Sequence, residues 1–219
     1  MLETYLMMFR TLWADAGAAL WAMAIFAVGF ALAFPVVRYE VKGLMALPQW
    51  MLGLARRHLR PETGPVTLCA FIFGFNSVAI FTYMISGGLV VLPAVFDLLT
   101  GLNVGAILLI DAQEPIDAPI AAGEQSSGPR AWVGFLTLLV IGVELTSFWF
   151  SVGMGINLGR AMGGAFSWDG FAREAGPRVT AYILVIVPAL LASAVAETAA
   201  IKAMMQGPAP GQNEMTESR

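Results

Sequence analysis

Cysteine, histidine and charge are all scarce in this sequence. One cysteine, Cys69, allows no intramolecular disulfide and no cysteine cluster for a metal. One histidine, His58, leaves no basis for a histidine metal site or a histidine-centred catalytic triad. Charged residues make up 12% of the 219, against about 25% in an ordinary soluble domain. The formal net charge is −3 and no basic domain exists, which excludes nucleic acid as a partner. Strand alternation with a period of two is also missing, so a membrane barrel is excluded.

What remains is apolar. Hydrophobic residues make up 58%, and they fall into long continuous blocks. A membrane-spanning helix needs roughly 20 apolar residues at 1.5 Å per residue. Residues 16–37 carry no charge and meet that length. The block is too long for the core of a secretory leader, and neither a basic segment before it nor a clear cleavage site after it is visible. We read it as a retained span. Residues 66–110 carry one charge, Asp97, and hold two spans, 66–86 and 88–110, with a turn at Ser86-Gly87-Gly88. Residues 131–159 and 179–201 complete the set. The predicted fold is an all-α polytopic transmembrane bundle of about five spans, forming one domain over residues 1–205. A re-entrant 88–110 segment, helped by Pro93 and Asp97, is the alternative that leaves four spans.

Three stretches lie outside the spans. Residues 38–64 are basic, and "LMALPQWMLGLARRHLR" within them suits an amphipathic helix lying in the membrane interface; a solvated loop is the alternative. Residues 111–130 read as an acidic loop. Residues 206–219 read as a polar, disordered tail. If loops alternate sides, eight basic residues share a side with the 38–64 loop and four lie opposite, which favours an outside N-terminus.

Polar residues inside the spans raise a functional question by default. The candidates are Asp97, Glu144 and Glu197, with Asn76, Asn103 and Asn157 as neutral companions. Asn76 lies about eleven residues before the Gly87-Gly88 turn and Asp97 about ten after it. An antiparallel hairpin would bring them within roughly 3 Å along the axis, so an Asn76–Asp97 hydrogen bond is expected. Glu144, Phe148, Ser151, Gly155 and Gly159 follow helical spacing and share a face. Ser151, Gly155 and Gly159 form a small-xxx-small ridge that admits a close neighbouring helix. Ala189, Ser193, Glu197 and Ala200 form a similar face. Each face reads either as a packing seam or as part of a proton- or cation-responsive pair. Depth counted from the start of each apolar block sets Glu144 and Glu197 roughly 17 Å apart, against direct contact.

The residues also resemble a family. "FNSVAIFTYMISG" at Phe75 to Gly87, "GLNVGAILL" at Gly101 to Leu109, "IGVEL" at Ile141 to Leu145, "VGMGINLGRAM" after it and "AVAETA" at Ala194 to Ala199 are similar, in order and spacing, to elements of the stage II sporulation protein M family. Ile141 stands where the family carries a histidine. The resemblance implies a multi-pass protein of the bacterial plasma membrane. In spore formers the family works with peptidoglycan hydrolases during engulfment, and many relatives occur in organisms that form no spores. The usual family orientation places the N-terminus in the cytoplasm, opposite to the basic-residue count.

Two functions follow. One is a non-enzymatic scaffold or subunit whose partners are the lipid bilayer and other integral membrane proteins or further copies of the chain. The other is a transporter or channel component with Asp97, Glu144 and Glu197 on its path. "GMGINLG" is neither a P-loop nor a dinucleotide fingerprint, since no strand precedes it and no Gly-Lys-Ser/Thr follows. No catalytic residues, cofactor or metal are expected, and a membrane-embedded enzyme lacks a catalytic pair at one depth.

Overall fold

A computed structural model of the chain describes residues 2–58, 62–89, 91–113, 129–163 and 167–205. The described residues are helical, and five helices are long and apolar enough to cross a membrane. Helix α1 covers Leu2–Arg38 and α2 covers Lys42–His58. Helix α3 is Pro65–Ile85, α4 is Leu92–Gln113 and α5 is Pro129–Ala161. Helix α6, Trp168–Ala181, runs through a π-helical turn at Tyr182–Ile186 into α7, Val187–Met205. The candidate spans are Met8–Arg38, Pro65–Leu89, Leu92–Ile110, Gly134–Ala161 and Trp168–Met204. The chain is a multi-pass membrane protein.

Local chemistry sets these boundaries. Helix α1 closes with Glu40 in the left-handed region, φ 48°. Glu40 N–H donates to Val37 O at 3.2 Å and Val41 N–H to Val36 O at 3.1 Å, the paired bonds of a Schellman ending. Pro65 opens α3, where its missing N–H costs nothing. A 3₁₀ turn over Ser86–Leu89 joins α3 to α4, at the Ser-Gly-Gly expected to turn. Gly163, φ +62°, ends α5 through a bond from its N–H to Arg160 O. Ser167 then caps α6 by accepting from Gly170 N–H at 3.2 Å.

Helix α4 is continuous over 22 residues, roughly 33 Å at 1.5 Å per residue, enough to cross. The fifth helix differs from the sequence reading in its start. Its apolar block begins near Val179, yet the helix begins at Trp168, because Asp169, Arg173, Glu174 and Arg178 make a polar first half that still has helical periodicity. The π turn lies just before Pro188, whose ring cannot accept a straight α-helix against the carbonyl four residues earlier. Helix α1 likewise starts well before the expected residue 16. The ends of the expected 111–130 loop are helical, in α4 and α5; the rest of that loop, and the expected tail 206–219, lie outside the described residues.

Packing follows two seams. Helix α4 packs along α1, and α5 packs against α1, α3 and α7. The α1–α4 crossing is so close that a methyl group on Gly29 would collide with the backbone of Leu98, and one on Gly101 with the backbone of Phe26. Gly153 sits equally close to Ala18 and Ala19, and Gly155 to the carbonyls of Tyr83 and Met84. An aromatic cluster fills the centre, with Phe26 edge-on to Phe148 at 5.8 Å and Tyr83 edge-on to Phe148 at 5.1 Å.

Helix α2 is amphipathic. Met45 and Pro48 turn inward, while Leu44, Leu47 and Trp50 are exposed. His58 is held at its end, stacked on Phe71 at 4.2 Å with a ring nitrogen 2.9 Å from Leu54 O. An amphipathic helix with exposed apolar residues on one side is what a membrane interface accepts.

Candidate functional site

Two polar clusters are built inside the bundle, each from helices far apart in sequence. The first joins α3, α5 and α7. Asn76 Nδ2 donates to Glu144 Oε1 at 2.8 Å, and Ser193 Oγ donates to the same oxygen at 3.1 Å. Glu197 stands one turn beyond Ser193 on α7 and lies within electrostatic reach of Glu144. Beside this group Tyr182 donates its hydroxyl to Ser77 O at 2.6 Å, tying the π turn to α3.

This corrects the expected Asn76–Asp97 bond. Equal depth on a hairpin is one coordinate, and helix face is the other. Helices α3 and α4 leave their turn towards different neighbours: α3 packs on α5 and α7, α4 on α1. Asn76 therefore meets Glu144. The 17 Å offset also fails. Helix α5 is 33 residues long, more than one bilayer crossing needs, so depth counted from residue 131 misplaces Glu144, and the packing of α5 on α7 sets Glu144 opposite Ser193, one turn from Glu197.

Asp97 is fully buried on α4, 0% exposed, and neither of its oxygens has a hydrogen-bond partner among the described residues. The Tyr83 hydroxyl, 2.9 Å from Thr100 Oγ1, lies within its electrostatic reach. Asn103 is buried near α2 and points its amide at Met51 Sδ, 2.6 Å away. Ser151, Gly155 and Gly159 are all buried, on the face expected, with Ser151 Oγ unpartnered. The structure thus gathers Asn76, Glu144 and Glu197, and leaves Asp97, Asn103 and the Ser151–Gly159 ridge elsewhere.

The second cluster was not read from the sequence as a unit. Asp15, 1% exposed, accepts from Asn157 Nδ2 at 2.7 Å. Its carboxylate also pairs with Arg178, whose Nε lies 3.2 Å from Oδ2 and whose Nη2 lies 3.4 Å from Oδ1. Arg178 Nη1 donates to Glu174 O at 2.7 Å. Arg160 Nη1 reaches Asn157 Oδ1 at 3.4 Å. The available signal was topological. Asp15 immediately precedes the first charge-free block and Arg178 the fifth apolar block, and with five spans both fall at the same membrane face.

Chemically, both clusters are donor–acceptor sets that join helices; Asp15 Oδ2 and Arg178 Nε make no hydrogen bond among the described residues and meet as an ion pair. Among the described residues no group of three or more metal-ligating side chains occurs.

A family model described as stage II sporulation protein M matches residues 22–200. Neither a curated protein nor a solved structure matches the chain.

Proposed function

The chain belongs to the stage II sporulation protein M family, and we propose that it works as a non-enzymatic subunit, or scaffold, of a larger assembly in the bacterial plasma membrane. The observation that carries this reading is how the intramembrane polar groups are used. Asn76 and Ser193 converge on Glu144, and Asn157 and Arg178 converge on Asp15. Each contact joins helices distant in sequence, as expected of groups that fix register. The close glycine crossings support the same reading, since they make a stiff bundle whose outer faces are free for neighbours. Those faces carry exposed Trp21, Val78, Leu138 and Val195, apolar surface for lipid or for helices of other proteins. The test is the composition of the protein isolated from its native membrane in mild detergent. A second polypeptide, or further copies of the chain, in fixed ratio is expected. A lone monomer that carries ion flux would overturn the reading.

A second reading, the membrane part of a transporter or channel, is favoured by one observation. Asp97 is a buried carboxyl with no hydrogen-bond partner among the described residues, and Glu197 lies within electrostatic reach of a second carboxyl, Glu144. Carboxyls so placed are what a proton or cation path would use. Proton or cation flux in proteoliposomes, abolished by Glu144→Gln, is its expected signature; absence of flux removes it.

A further inference from the structure

A cleft of about 750 Å³ opens between the first turns of α1 and the polar half of α6. Its charged lining is Glu3, Arg10, Glu174 and Arg178, with Leu6 and Pro177 among its apolar walls. Arg178 is fixed from beneath, paired with buried Asp15 and with Glu174. Two carboxylates and two guanidinium groups therefore line the cleft; Glu174 and Arg178 are paired with each other, which leaves Glu3 and Arg10 as its uncommitted charges of opposite sign. Arg10 is exposed and, among the described residues, makes no ion pair.

We propose that this cleft binds a membrane phospholipid whose headgroup carries both a phosphate and a primary ammonium, with the phosphate on Arg10 and the ammonium between Glu3 and Glu174. Charge decides the class. A purely anionic headgroup would meet Glu3 and Glu174 with only Arg10 uncommitted, whereas a headgroup of both signs is matched at each end. The ammonium is a primary one because, among the described residues, no aromatic ring lines the cleft to offer a face to a quaternary ammonium. A primary ammonium instead donates hydrogen bonds, which Glu3 and Glu174 accept.

Position makes the source a lipid. The α1 candidate span begins at Met8, so Glu3 and Arg10 bracket its entry into the membrane, and Arg178 immediately precedes the apolar block of the fifth span. Phe9 and Trp13 project outward beside the cleft, 63% and 85% exposed, at the level where aromatic side chains mark the headgroup layer. Acyl chains of a lipid held at the cleft would run down that outer face of α1. The proposal does not depend on the subunit reading.

The test is lipid binding by the full chain in detergent, followed by native mass spectrometry with phosphatidylethanolamine, phosphatidylcholine and phosphatidylglycerol as separate probes. Phosphatidylethanolamine is expected to bind about tenfold more tightly than either other lipid. Arg10→Ala and Glu3→Gln should each erase that preference, while Arg38→Ala, at the far end of α1, should leave it intact. Equal binding of the three lipids, or a preference that survives both cleft variants, overturns the proposal. Soluble glycerophosphoethanolamine is the last arm: weaker binding than the intact lipid supports a membrane ligand, and equal binding overturns the lipid assignment.

Discussion

Asn76 uses its amide to hold Glu144, and that bond can be measured. Interhelical hydrogen bonds in membranes are worth about 0.6 kcal/mol on average and rarely above about 1.7. A double-mutant cycle of Asn76→Ala with Glu144→Leu, read by reversible denaturant unfolding, should return a coupling in that range. The same cycle with Asp97→Asn in place of Glu144→Leu should be additive within about 0.5 kcal/mol. Coupling to Asp97 instead would restore the hairpin pairing that the packing excludes. The Asp15–Arg178 pair is the stronger case. Asp15 is buried and Arg178 mostly so, and Asp15→Ala leaves the guanidinium with Glu174 as its remaining counter-charge, which should cost about 1–3 kcal/mol. Adding Arg178→Met should recover much of that loss in the same unfolding measurement. Failure of the second substitution to help would mean that the pair is more than an ion pair in a packing seam.

At the scale of elements, the glycines divide into two kinds. Gly29 and Gly101 face backbone across the α1–α4 crossing, whereas Gly17 faces open space. Gly29→Ala and Gly101→Ala should each destabilise by about 1–3 kcal/mol, since the two helices must part to admit a methyl group. Gly17→Ala should be neutral or stabilise by up to about 1 kcal/mol through helix propensity. Thermal melting of the three variants in detergent separates these outcomes. The elements themselves were legible in the sequence where chemistry is local. The spans follow from long apolar blocks, the α3–α4 turn from Ser86-Gly87-Gly88, and helix α2 from apolar and basic residues mixed in one segment. The start of the fifth helix was not legible from hydropathy, because its first turns are polar and only their periodicity marks them as helix. Nor was the neighbour of each polar residue. Asn76 and Asp97 share a depth, yet the sequence does not state that α4 leaves its hairpin partner for α1. That choice is made by Gly29, Gly101 and Gly105, whose missing side chains let α1 and α4 touch along their backbones.

For the whole molecule, the five spans and the two clusters describe a bundle whose polar groups are turned inward and used, and whose outer surface is apolar on every spanning helix. The match over residues 22–200 places that bundle in a family, and the order of the motifs was readable because "FNSVAIFTYMISG" and "IGVEL" carry Asn76 and Glu144, the two residues that meet. The sequence reading took them as separate signals; their contact spans 68 positions and exists only once α3 and α5 run side by side. The proposed role rests on the outer surface, which should be covered by protein along at least one face. Site-specific photo-cross-linking in native membranes, from Trp21, Val78, Leu138 and Val195 in turn, tests this most directly. The subunit account expects a discrete adduct with a second polypeptide, or with another copy of the chain, from at least one of these positions; adducts with lipid alone at all four would contradict it.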